Sequence, residues 1–186
     1  DDVWRYMLAS LWTRLAQEEH LTGRAGQAGD ETGSHIIASR VVRDIMRLAF
    51  LYERRYAPYA KWLGTAFQQL DCAAQLGPHL EAVVHGQSWQ QRDAALAGAY
   101  TVLAELHHQA RITRELPRSP APFFGRPFSV MAQQGYAEAI MDTVTCVSVA
   151  DSGMRPAASW ITEQMREHPI GNVDLVSDNT DVLENP

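Results

Sequence analysis

The sequence predicts an all-α protein, a multi-helix bundle of about five to seven helices. Three observations predict it. Apolar residues recur at helical spacing, as Val3, Met7, Leu8, Leu11 and Leu15 do near the start. No stretch alternates convincingly with the two-residue period of a half-buried strand. Capping residues, glycines and prolines fall between the periodic stretches, where helices begin and end.

Residues 2–21 read as the first helix, with Trp4 and Trp12 adding bulk. Gly23, Gly26 and Gly29 are expected to break it. Asp30 is a natural N-cap for a second helix running to about Arg55, with Gly33 tolerated in its first turn and Pro58 marking a joint. A shorter helix is expected over Tyr59–Cys72. Gly77-Pro78 should restart a short helix to His85, and Ser88 should cap a long one from Trp89 to about Leu116. Residues 117–127 form a Pro-rich loop, because Pro117, Pro120 and Pro122 forbid a regular helix. Ser129 to about Cys146 reads as helical again, with β-branched 144–149 able to turn extended. A turn at Asp151–Pro156, a short helix at Trp160–Glu167 and an irregular acidic surface tail over 171–186 complete a single helical domain.

At 46% hydrophobic and 20% charged, the chain has the composition of an ordinary globular protein with a real core. The net charge of −6 excludes a nucleic-acid coat, so any anion site must be local. No apolar run approaches the roughly 18 residues that span a bilayer, and no signal peptide is visible, so a cytoplasmic setting is expected. Cys72 and Cys146 lie far apart with no ligand spacing; two reduced thiols are expected, with one disulfide left open. The chain starts at Asp1 and enters a helical pattern at once, which suggests an upstream segment. The oligomeric state is not encoded in any of these features.

The second helix carries the most informative pattern. At about 100° per residue, Arg40, Arg43, Arg47 and Arg54 fall within an arc of about 60°. Val41, Ile45, Leu48, Ala49 and Tyr52 lie opposite, and Asp44 is the only acid near the arginines. A solvated face usually mixes signs, because like charges at i,i+4 repel. Two readings stand side by side. The guanidinium forks grip a phosphate or carboxylate, or they pair internally with Glu18, Glu19 or Glu53.

Further segments add candidates. Arg24 sits among Gly23, Gly26 and Gly29 ahead of Asp30 and Glu31, but without the lysine, hydroxyl or strand of a phosphate loop. A plain interhelical turn is the stronger reading there. Glu53 through Trp62 gathers Tyr56, Tyr59, Trp62 and Lys61 around Pro58, able to stack on a base and meet phosphates. The competing reading puts these aromatics in the core, Trp62 first. Phe123, Phe124, Arg126 and Phe128 could edge a lid, although most such loops are connectors. The histidines, Ser34, Ser129 and the tail aspartates fit no metal or nucleophile pattern, so no metal ligand and no catalytic residue is assigned.

Several runs resemble the domain-of-unknown-function 4037 family. These are Gln17-Glu18-Glu19, Gly23-Arg24, Gly29 to Ser34, Arg40 to Leu48, and Glu53 to Phe67. Arg126-Pro127-Phe128 resembles it too, and the tail Gly171 to Asp174 and Asp178 to Leu183 does so more weakly, so that the resemblance runs over nearly the whole chain. The resemblance implies a helical C-terminal part following a nucleotidyltransferase domain of the polymerase-β superfamily. That superfamily's Gly-Ser helix and paired-aspartate strand are absent here. Carboxylates for Mg²⁺, and much of the nucleotide site, would then belong to an upstream partner domain, with no cofactor held by this chain. The expected role is an accessory, substrate-binding one, with the arginine face holding a nucleotide phosphate or another anionic small molecule. The alternative is a non-catalytic structural or protein-interaction module.

Overall fold

The computed structural model describes residues 1–146, all within one compact unit, Asp1–Pro156. The expectations for residues 147–149, the 151–156 turn, the Trp160–Glu167 helix and the tail lie outside the described residues. Six α-helices are described: α1 (Asp2–Gln27), α2 (Glu31–Tyr52), α3 (Ala60–Phe67), α4 (Ala73–His85), α5 (Trp89–Ala110) and α6 (Tyr136–Met141). A minimal antiparallel pair, β1 (Ala121–Pro122) and β2 (Ser129–Val130), aligns Ala121 with Val130. The protein is predominantly all-α, as the periodicity predicts.

α1 continues through two of the three glycines expected to end it. Gly23 and Gly26 are buried inside the helix. A Cβ on Gly23 would strike the Phe128 ring, and one on Gly26 the Trp89 side chain. Close packing from distant sequence, not chain reversal, is what these glycines permit. Only Gly29 makes the turn, with φ of 85°. Its N–H bonds Gly26 O, and Asp30 N–H bonds Ala25 O, the paired bonds of a left-handed helix end. Asp30 then starts α2 by accepting a hydrogen bond from Gly33 N at 2.7 Å. The short turn lays α1 and α2 side by side.

The core is built from Trp12 and Leu15 of α1, Val41, Ile45 and Leu48 of α2, Leu76 and Leu80 of α4, Leu96 and Leu103 of α5, and Ile140 of α6. Each such side chain contributes about 1.5–3 kcal/mol on burial. α1 packs on α2, α5 and α6, while α4 packs on α2 and α5. Trp12 stacks on Tyr136 with ring centroids 4.2 Å apart.

Five further boundaries differ from the sequence reading. α2 stops at Tyr52 rather than about Arg55. α3 stops at Phe67 rather than Cys72, and a turn separates it from α4. α4 is already helical at Ala73 and passes through Pro78, losing one main-chain bond instead of restarting there. α5 ends at Ala110, where Arg111 turns left-handed with φ of 51°. The segment 129–146, expected to be helical, holds β2, a 3₁₀ turn at Ala132–Gln134 and only the short α6. Glu19, not local periodicity, fixes that segment. Its buried carboxylate accepts from Met131 N, Ala132 N and Gln133 N at 2.8, 3.0 and 3.1 Å.

Candidate functional site

The side-by-side packing of α1 and α2 puts the arginine stripe next to residues from α1. At its centre is Asp44, 1% exposed. Its Oδ2 accepts from Arg14 Nε at 2.7 Å, and its Oδ1 accepts from Arg43 Nε at 3.0 Å. Both guanidinium groups therefore meet the acid through Nε. The Arg43 Nη2 atom is buried with no acceptor among the described residues. Toward the start of α2, Arg40 pairs with Glu18, whose Oε2 is likewise buried and unpaired. Arg47, partly buried, makes no ion pair among the described residues. Four guanidinium groups (Arg14, Arg40, Arg43, Arg47) face two carboxylates (Glu18, Asp44). Among the described residues the row carries a surplus of two positive charges, in a chain of net charge −6.

Arg54 lies at the end of this row and plays a different part. It occupies the left-handed position after α2 with φ of 55°, a place glycine usually fills. Arg54 N–H bonds Leu51 O, and Arg55 N–H bonds Phe50 O. The Arg54 guanidinium lies 3.3 Å above the Trp4 ring and pairs with Asp1 at 3.1 Å. Trp4 Nε1 donates to Leu51 O at 2.7 Å, so the start of α1 is clamped to the end of α2.

The bend that follows is more open than the core reading of its aromatics expects. Tyr56, Tyr59 and Trp62 are 92%, 66% and 48% exposed. Leu63 and Phe67 supply the apolar anchor of α3 instead. Lys61 sits 4.9 Å from the Trp62 ring. The exposed aromatic bend thus remains available to a partner or ligand.

The remaining predicted residues divide by role. Arg24 is exposed, without an ion pair among the described residues. Its charge and the burial of His20 together hold that imidazole down at about 4, burial being the larger cause. Asp30 caps α2. Glu31 pairs with buried Arg92, which also reaches Ser34 and Gly86 O. Glu53 accepts from Asp71 N and Cys72 N at 3.0 and 2.9 Å, capping the start of α4. Glu19 anchors residues 131–133, and burial raises its carboxyl to about 7 despite three N–H donors that oppose the shift. Arg126 is exposed on the loop, and no hydrogen bond or ion pair joins it to α2 among the described residues. The structure brings Glu18, Arg40, Arg43, Asp44 and Arg47 onto one face. It leaves Arg24, Arg126 and the 56–62 bend apart from it. Arg14 was missed in the sequence, because one arginine on α1 stands out only once Asp44 lies beside it.

A second polar system lies in the core. Trp12 Nε1 donates to Tyr52 Oη at 2.6 Å, and Tyr52 Oη meets His107 Nδ1 at 3.0 Å. His107 Nε2 meets Thr113 Oγ1 at 2.8 Å, and that hydroxyl donates to Arg114 O. The chain of donors is consistent with a neutral His107 protonated on Nε2. Burial, then the neighbouring His108, holds His107 down at about 4. Two concavities lie elsewhere: a cleft of about 360 Å³ beside Glu53, Cys72 and Glu105, and a groove of about 590 Å³ between α2, α3 and α4. Neither is lined by an arginine of the row. Cys72 is a buried free thiol. Among the described residues no cluster of three or more His, Cys, Asp or Glu side chains is placed to hold a metal. No helix there is long and apolar enough to cross a membrane.

Fold and face together define a helical domain with a cation-rich outer strip on its first two helices. Residues 1–63 match the family described as Domain of unknown function (DUF4037), and the chain resembles that family there. The match takes in α1, α2 and the first residues of α3, hence the whole arginine row. It stops before Arg126-Pro127-Phe128 and the tail. No curated protein and no solved structure matches the chain.

Proposed function

We propose that this protein is an accessory, substrate-binding helical domain of a nucleotidyltransferase-like protein, and that its α1/α2 face holds a nucleotide phosphate or an anionic acceptor. One observation carries the reading: Arg47 has no carboxylate partner among the described residues, in a row with two surplus positive charges. An unneutralised guanidinium is a ready phosphate ligand. The domain would position substrate and offset its charge rather than make bonds. Magnesium and the rest of the nucleotide would be held by an upstream catalytic domain. A cytoplasmic setting accords with Cys72 being a buried free thiol.

Isothermal titration with ATP and with pyrophosphate tests this. Arg47→Ala should weaken binding by about tenfold, equivalent to about 1.4 kcal/mol, while leaving the melting temperature nearly unchanged. A large fall in melting temperature with unaltered affinity would overturn the reading. A second reading has its own support, since Arg40, Arg43 and Arg54 each pair with an acid. There the row is an internal ion-pair network of a structural or interaction module. It predicts no saturable anion binding by the wild-type chain.

A further inference from the structure

We infer that Asp44 organises Arg14 and Arg43 into a paired clamp for a phosphoryl group, with Arg14 as the arm contributed by α1. This rests on the anion-binding reading above and specifies the chemistry it takes. Asp44 is buried and divides its two oxygens between two Nε atoms, at 2.7 and 3.0 Å. Contact through Nε fixes the plane of each guanidinium while leaving its two Nη groups unused. No acceptor for those groups is found among the described residues. Arg43 Nη2 is covered by protein, but the Arg14 and Arg43 side chains are 43% and 34% exposed, so the remaining Nη donors can meet a ligand from solvent. One carboxylate shared by two guanidiniums leaves a unit of positive charge, and Arg47 adds a second. The face is therefore matched to about two negative charges and to more oxygens than a single carboxylate offers. A phosphoryl group has both.

Lysine cannot replace arginine in this arrangement. Its single ammonium can neutralise Asp44 or face the ligand, whereas a guanidinium does both through separate atoms. Arg14→Lys is therefore the informative variant, because it keeps the charge and removes the fork. The full chain is titrated calorimetrically with pyrophosphate and with ADP, which separates a free phosphoryl source from a nucleotide by which binds more tightly. Arg14→Ala and Arg14→Lys should both weaken the preferred ligand at least tenfold. Arg14→Lys, which retains a cation beside Asp44, serves as the folded control if the alanine variant is unstable. Wild-type affinity in Arg14→Lys would overturn the clamp. An effect of Arg47→Ala without any effect of Arg14→Ala would also overturn it, while leaving the anion-binding reading intact. No saturable binding by the wild-type chain would remove both.

Discussion

Glu19 ties residues 131–133 to α1, and its loss should matter to the described fold. It is 2% exposed and bonds three consecutive main-chain N–H groups across more than a hundred residues of sequence. Two of those bonds, to Met131 and Ala132, are themselves buried. An orphaned buried donor costs about 1–3 kcal/mol, so Glu19→Ala forfeits about 2–6 kcal/mol from these two. Release of a desolvated carboxylate offsets part of that, leaving a net loss of about 2–4 kcal/mol near neutral pH. For a unit of this size the melting temperature should fall by about 5–15 °C. Glu19→Gln keeps one acceptor oxygen for Met131 and Ala132 and sacrifices the partly exposed bond to Gln133, so it should lose about 1 kcal/mol. The carboxyl is raised to about 7 in the folded state from 4.5. The folded protein therefore binds more protons between those values, and its stability declines as pH rises through that window. The gap between wild type and Glu19→Gln should narrow accordingly from pH 4.5 to 7. Urea unfolding across that range, with hydrogen exchange at Met131 and Ala132, measures all of this. A loss under about 1 kcal/mol in Glu19→Ala, with unchanged exchange at those two amides, would refute the reasoning.

Four further perturbations test other joints. Arg54→Gly relieves a left-handed residue but loses the Trp4 stack, two effects of about 1 kcal/mol each and of opposite sign; Arg54→Ala keeps the strain and should be the less stable of the two by thermal melting. His107, held down at about 4 from 6.5, contributes stability present above pH 6.5 and lost as pH falls toward 4. Its slope opposes that of Glu19 between pH 4.5 and 6.5, so acid titration of Glu19→Gln should expose a steeper loss than wild type shows. Gly26→Ala should destabilise by 2 kcal/mol or more, roughly, as expected of overpacking against Trp89. Gly64→Ala, on α3 with open space around its Cβ and no following proline, should stabilise by about 0.5–1 kcal/mol.

What the sequence reveals and conceals follows from where each partner lies. Asp30 and Gly33 are three residues apart, so the start of α2 was legible as a cap. The arginine arc was legible because 3.6-residue periodicity is local. Gly23 and Gly26 were misread because Phe128 and Trp89, which require their small size, are far along the chain. Ser129–Val130 pairs over only two residues, too short to show an alternating pattern. Trp62 looked like core because bulk is legible and direction is not; Leu63 and Phe67 take the buried positions of α3. Arg14 and the role of Glu19 depend wholly on tertiary neighbours. The pairing of Arg40 with Glu18 was foreseen as one of two outcomes, and the lack of an acid at Arg47 among the described residues is what the fold adds.

The central claim is that an anion sits on the α1/α2 face. Nitrogen-15 NMR of the arginine Nε–H groups tests it most directly, since Arg14 and Arg43 Nε atoms are held by Asp44 and should give protected signals. Titration with pyrophosphate should shift the Arg14, Arg43 and Arg47 signals together and saturably, with Arg92 unmoved. Unshifted arginine signals, or shifts confined to Arg24 and Arg126, would contradict the account.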